Sequence, residues 1–202
     1  MKAFIFGSFN PVTNAHIEMG LAARNALGPD AQIIYEPASD RYLRSWKGYR
    51  ETDILPEDVR LRLLYEAAKE QGFIVSSIEI IGLTDGRTYN TLAYYGLKDS
   101  VLCLGMDNIA ELPKWYKWQE LLKNVKLLIF RRKDQMREES DEVQNVLSYS
   151  CGYQIVDLQG QNGISSTRVR DYYRDGWMEE VKALVPANVY AYYCERRKNG
   201  QE

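Results

Sequence analysis

Two short stretches, one near each end of the 202-residue chain, carry residue types that bind phosphate. The first is Gly7-Ser8-Phe9-Asn10-Pro11-Val12-Thr13-Asn14-Ala15-His16. The apolar run before it, Ala3 to Phe6, reads as a buried strand that Gly7 and Ser8 break and Pro11 cannot continue. Asn14 is placed to cap a helix in which Ile17, Leu21 and Leu27, with small Ala22, Ala23 and Ala26, recur at helical spacing. A strand, a glycine turn and a helix start leave unpaired backbone N–H groups and the positive end of the helix dipole facing outward, which is an anion site. His16, the only histidine of the chain, lies in that first helical turn. The second stretch is Gly163-Ile-Ser-Ser-Thr-Arg-Val-Arg170. There Ser165 or Ser166 can cap a helix whose start offers N–H groups, hydroxyls and Arg168, a planar, permanently charged fork suited to phosphate oxygens.

Neither stretch is a Walker A loop or a Gly-x-Gly-x-x-Gly fingerprint. Further candidates lie between them. The apolar strand Ser100 to Gly105 runs into Met106-Asp107, so Asp107 can meet ribose hydroxyls at a sheet's carboxyl edge, or cap a following helix. Arg131-Arg132-Lys133 closes the strand Val125 to Phe130 and can face a triphosphate. Glu36 to Arg50 has no periodicity and interleaves Arg41, Arg44, Lys47 and Arg50 with Tyr42, Trp46 and Tyr49. It reads as a long loop on the same sheet edge as His16, with cations and rings that favour an anionic, aromatic ligand.

Gly-Ser-Phe-Asn-Pro-x-Thr-x-x-His resembles the first signature of the nucleotidyltransferase superfamily, (His/Thr)-x-Gly-His, with Ala15 where most members have glycine. Its wording is most similar to the nicotinamide/nicotinate mononucleotide adenylyltransferases. Ile164-Ser-Ser-Thr-x-x-Arg170 resembles the second signature, and Gly105-Met-Asp107 followed by Leu112-Pro-Lys-Trp-Tyr116 is similar to the bacterial nicotinate enzymes. The resemblance implies a Rossmann-like, doubly wound, mainly parallel α/β sheet with helices on both faces, filling residues 1–202 as one nucleotidyltransferase domain. It implies transfer of the adenylyl group of ATP, with Mg²⁺, to nicotinate or nicotinamide mononucleotide. On it, Gly7, Ser8, Phe9, Thr13, His16, Gly105 and Asp107 are expected against ATP. Ile164, Ser165, Ser166, Thr167, Arg168 and Arg170 are expected around its outer phosphates, with the choice between the two arginines open. Ser8, Asn10, Lys47, Thr91, Leu92, Trp115 and Arg132 are expected around the mononucleotide, Trp115 stacking on the pyridine. His16, Lys47 and Arg168 are the expected catalytic residues, and no side-chain metal site is expected. Another member of the superfamily, such as a pantetheine-phosphate adenylyltransferase or a cytidylyltransferase, and a non-catalytic nucleotide sensor remain alternatives.

The composition is consistent with these expectations. A formal charge of -2, with 26 basic and 28 acidic residues, makes a nucleic-acid polymer a poor partner. The apolar N-terminal run is too short for a signal peptide, and no stretch approaches the ~20 apolar residues that span a bilayer. Cys103, Cys151 and Cys194 lack metal or disulfide spacing, which reads as reduced thiols in a cytoplasm, while homo-oligomerisation is left open. No internal repeat, low-complexity tract or linker is present. The elements expected to hold the site are strands at Gln32–Tyr35, Phe73–Ile80 and Tyr153–Leu158, and helices at Pro56–Gly72, from Thr88 and over Glu138–Glu142, while the resemblance implies a closing helix over Leu184–Tyr193.

Overall fold

The computed structural model describes residues 1–46, 48, 50, 54–132, 140–158 and 163–200. Six strands, β1 (Lys2–Gly7), β2 (Gln32–Pro37), β3 (Ile74–Val75), β4 (Ser100–Gly105), β5 (Lys126–Arg131) and β6 (Tyr153–Asp157), form one all-parallel sheet in the order β3-β2-β1-β4-β5-β6. The helices are α1 (Asn14–Leu27), α2 (Asp40–Trp46), α3 (Glu57–Lys69), α4 (Thr88–Tyr95), α5 (Trp118–Asn124), α6 (Asp141–Leu147), α7 (Ser166–Arg174), α8 (Met178–Leu184) and α9 (Ala187–Lys198).

The strands alternate faces, and both faces are buried. Ala3, Ile5, Ile33, Tyr35, Val101, Cys103, Leu128 and Phe130 pack with α1, α3, α7, α8 and α9. Phe4, Ile34, Leu102, Leu104, Leu127 and Ile129 pack on the other side with α4, α5 and α6. This double burial explains why the central strands read as unbroken apolar runs. Gly20 of α1 sits where a Cβ would collide with the Tyr35 hydroxyl and the Phe73 ring. Its absence brings α1 close to β2, and the Tyr35 hydroxyl then donates to the His16 carbonyl at 2.8 Å. Among the described residues no helix is long and apolar enough to cross a membrane.

Several expected elements change. The stretch 36–50 is not an unstructured loop, because α2 forms within it: the Ser39 hydroxyl accepts from the Tyr42 N–H at 3.2 Å, and Leu43 anchors it in the core. β3 stops at Val75, because the Ser76 hydroxyl accepts the Ile78 N–H and local turns take the next backbone groups. The helix expected over 138–142 begins at Asp141, capped by Ser140, and residues 133–139 lie outside the described set. The closing helix is split at Val185-Pro186 into α8 and α9, as the missing proline N–H requires.

Candidate active site

The strand order reverses between β1 and β4, and the carboxyl ends of these two strands bound a crevice that gathers the stretches 7–16 and 163–170. On one side β1 ends at Gly7, where a Cβ would lie 3.1 Å from the Phe9 ring. Phe9 takes a left-handed φ of 45°. Its ring stands edge-on to His16, with centroids 5.1 Å apart. The Asn10–Pro11 peptide is cis, and Asn10 Oδ1 accepts the Leu55 N–H at 2.9 Å.

The turn is braced from behind by Arg60 of α3, which is fully buried. Its Nη1 donates to the Ser8 carbonyl at 2.7 Å, and its Nη2 donates to the Ala38 carbonyl at 3.0 Å and to the Asp40 carboxylate at 2.7 Å. One side chain therefore ties the ends of β1 and β2 together.

Thr13, rather than Asn14, is the N-cap of α1. Asn14 lies in the first turn and donates to the Ala183 carbonyl at 3.2 Å. The Thr13 N–H donates to His16 Nδ1 at 3.0 Å, and the Thr13 hydroxyl lies 2.8 Å from the same atom. A backbone N–H can only donate, so Nδ1 carries a lone pair and the ring proton is on Nε2. Burial pushes the His16 pKa down to about 4. At neutral pH His16 is thus an uncharged donor of fixed tautomer.

On the other side Ser165 caps α7, accepting the Arg168 N–H at 3.2 Å. The Ser166 hydroxyl donates to the Pro11 carbonyl at 2.8 Å, and Arg170 Nη1 donates to the Asn10 carbonyl at 2.6 Å. These bonds join the two stretches across more than 150 residues of sequence.

Two cavities result. A smaller one of about 280 Å³ is lined by Thr13, Ala15, His16, Gly105, Asp107, Arg132, Ile164, Ser165 and Ser166. A larger one of about 750 Å³ is lined by Gly7, Ser8, Glu36, Tyr42, Glu79, Arg87 and Thr88. Phe6, Asn108 and Trp115 line both, so the cavities are neighbours.

The structure sorts the expected residues accordingly. Arg132 lines the smaller cavity with His16 and lies 3.7 Å from Asp107. Asp107 lies in a 3₁₀ turn, Met106–Asn108, and caps no α-helix. The side chains of Phe9, Asn10, Thr91 and Leu92 are buried in the scaffold and line neither cavity. Phe9 packs on His16, Asn10 holds Leu55, Thr91 donates to Glu79 at 2.8 Å and Leu92 fills the core. Thr167 and Arg168 are exposed at the start of α7. Arg168 donates to the Tyr172 hydroxyl at 2.7 Å and to the Gly163 carbonyl at 3.3 Å, whereas Arg170 is built into the first turn. Lys47 lies outside the described residues.

Sequence reasoning missed Arg60, Glu36 and Glu79. In the sequence Arg60 reads as one more charge on a polar helix. Glu36 and Glu79 are both buried and line the larger cavity. Burial pushes Glu36 up to about 7, partly offset by the Ser76 hydroxyl and the Glu79 N–H. Burial likewise pushes Glu79 up to about 8 against the Thr91 hydroxyl, with the Glu36 and Asp85 charges adding to the rise. A carboxylate directly after the apolar β2 run was the available signal.

A parallel sheet of this order, with the starts of α1 and α7 at its switch point, is a Rossmann-like doubly wound fold. The chain belongs to the cytidylyltransferase-like family, whose model matches residues 4–172, and within it to the nicotinate/nicotinamide mononucleotide adenylyltransferases. It is 30% identical over 198 residues to a "probable nicotinate-nucleotide adenylyltransferase" of Gloeobacter violaceus, covering 94% of this chain and 91% of the relative. A protein of the same name from Clostridium acetobutylicum is 28% identical, with 94% of each chain covered. The fold matches that of Plasmodium falciparum nicotinic acid mononucleotide adenylyltransferase complexed with NaAD, with a TM-score of 0.69 at 19% identity over 97% of this chain and 95% of that one.

Proposed function

We propose that this enzyme transfers the adenylyl group of ATP to a pyridine mononucleotide, nicotinate mononucleotide first, and releases pyrophosphate. The observation that carries the reading is the placement of neutral His16 beside Ser165 and Ser166 in one cavity that adjoins, at Trp115, a second cavity of nucleotide size. The choice of nicotinate follows the names of the relatives.

In this reading the smaller cavity takes the triphosphate, with His16 at the α-phosphate, Asp107 near the ribose and the start of α7 around the outer phosphates. The mononucleotide lies in the larger cavity along Gly7 and Ser8, its pyridine ring against Trp115. An oxygen of its phosphate forms a bond to the α-phosphorus, the bond from that phosphorus to the β-bridging oxygen breaks, and the electron pair leaves with pyrophosphate. The attacking phosphate is already ionised near neutrality, with a second pKa of about 6, so no enzyme base is required. Positioning and hydrogen bonding to developing charge supply the acceleration.

Mg²⁺ is expected to arrive on the triphosphate. Among the described residues no group of three or more His, Cys, Asp or Glu could cage a metal. Carried on the triphosphate and keeping most of its waters, the ion would neutralise phosphate charge. We place the enzyme in the cytoplasm, a reading supported by Cys103, Cys151 and Cys194, all free thiols.

The test is pyrophosphate release from ATP and Mg²⁺ with nicotinate and nicotinamide mononucleotide offered separately, and identification of the dinucleotide formed. Release that depends on either mononucleotide is expected. Folded, ATP-binding protein that turns over neither overturns the reading.

A further inference from the structure

Arg87 is the residue before α4, and it lines the larger cavity together with Trp115 and Tyr116. Its guanidinium lies over the Tyr116 ring, 4.6 Å from the centroid, so a flat cation rests on the ring next in sequence to the Trp115 indole. Two contacts hold this segment in place. Gly86 has a φ of 82°, and a Cβ there would lie 2.6 Å from the Tyr42 ring, so the chain passes tight against α2. The Asp85 carboxylate accepts the Arg87 N–H at 3.1 Å and the Asn90 side-chain amide at 3.0 Å, which fixes the turn into α4.

The ion pair that Arg87 makes with Asp85 is a weak one. Nε stands 3.6 Å from Oδ2, both side chains are partly exposed, and the same carboxylate is shared with Asn90 and a backbone N–H. Such a pair contributes little and yields to a better-placed anion. The other cation lining this cavity, Lys114, is 72% exposed and bound to Glu111 at 2.7 Å. Glu36 and Glu79 line the cavity too, but burial keeps protons on them up to about pH 7 and about pH 8, so they oppose an incoming anion less than two carboxylates would. In the proposed reading the pyridine ring lies against Trp115, and its substituent is what distinguishes nicotinate from nicotinamide. A carboxylate offers two acceptor oxygens to the guanidinium fork. A carboxamide offers one acceptor and one donor, and the guanidinium has no acceptor for that donor.

We propose that the Arg87 guanidinium binds the carboxylate of nicotinate mononucleotide and sets the preference for the acid over the amide. This inference rests on the adenylyltransferase reading and names the residue that makes its choice of acceptor. Binding exchanges the long contact with Asp85 for a charge-assisted pair with the substrate, while the Tyr116 ring keeps the guanidinium in place. Arg87 determines specificity; the reaction steps stay with the residues around His16.

The experiment measures kcat/KM for nicotinate and for nicotinamide mononucleotide with wild type, Arg87→Gln and Arg87→Lys, and the KM for ATP with each enzyme. Wild type is expected to prefer nicotinate. In Arg87→Gln the nicotinate-to-nicotinamide ratio falls by about 10- to 100-fold, the scale for losing a hydrogen-bonded charged partner, and the fall lies in the KM for nicotinate mononucleotide. Arg87→Lys keeps the charge without the fork or the stack and gives an intermediate ratio. A ratio in Arg87→Gln within about threefold of wild type overturns the inference. So does an equal loss with both acceptors, which would make Arg87 a structural latch on Tyr116. A wild type that prefers nicotinamide mononucleotide overturns it as well, while leaving the reaction class standing. A wild-type enzyme that turns over no pyridine mononucleotide overturns both readings.

Discussion

The backbone N–H of Thr13 donates to Nδ1 of His16 at 3.0 Å, and this contact fixes the chemical character of the site. It consumes the only lone pair of the ring and leaves Nε2–H as a donor. The capping arrangement that starts α1 and the tautomer of the histidine are thus one feature.

Because His16 is the only histidine, its ring is directly readable by nitrogen NMR of ¹⁵N-histidine-labelled protein. The Nε2–H tautomer is expected from pH 8 downward, with protonation only near pH 4. Titration near 6.5 or an Nδ1–H ring would contradict the geometry.

Arg60→Ala removes the clamp on Ser8, Ala38 and Asp40 and leaves buried acceptors unpaired. A loss of about 3–5 kcal/mol is expected in denaturant unfolding, the scale for breaking a buried charged network. Arg60→Met, which fills the space without the charge, should recover part of the stability but not the order of the Gly7–Ser8 turn. A loss under 1 kcal/mol for Arg60→Ala would show that the clamp is dispensable.

Glu36 and Glu79 give the protein a pH dependence of definite sign. Their folded pKa values, about 7 and about 8, lie above the ordinary 4.5, so the folded state holds protons that the unfolded state has released. Their contribution is therefore fully present below about pH 4.5 and is lost as pH rises through 7 to 8. For Glu36 the loss is roughly 3 kcal/mol at about 1.4 kcal/mol per unit. His16 acts in the opposite direction: its folded pKa, about 4, lies below the ordinary 6.5, so its contribution grows as pH rises from 4 to 6.5. Unfolding free energies at pH 6 and pH 9 should converge in Glu36→Gln relative to wild type. An unchanged slope in the variant would mean that Glu36 does not hold its proton.

How much of this was legible in the sequence follows from what each residue answers to. β1, β4 and β5 were readable because both of their faces are buried, so burial alone sets their composition. The His16 turn and the Ser165 cap were readable because glycine, proline and serine act locally. Thr13 rather than Asn14 took the cap of α1 because its hydroxyl and N–H could both meet His16, a geometric outcome that two adjacent cap-forming residues do not decide. α2 was missed although Ser39 was there to cap it, because seven residues are too few to show a period. Arg60, Glu36 and Glu79 were missed for a common reason. Their types belong on surfaces, and only the tertiary fold turns them inward, toward Ser8 in one case and a cavity in the others. The end of β5 told which sheet edge Arg132 reaches, but not that it lines the cavity with His16, which depends on the side of the switch point it faces.

The central claim is that His16 donates to the α-phosphate as charge moves toward the leaving pyrophosphate, and the most direct test is steady-state pyrophosphate release by His16→Ala beside wild type, with ATP affinity measured separately. A fall in kcat of about 10²- to 10³-fold is expected, the scale for removing one preorganised donor, with ATP binding weakened by less than about tenfold. A variant that keeps wild-type kcat, or whose whole defect is the loss of ATP binding, would contradict the account.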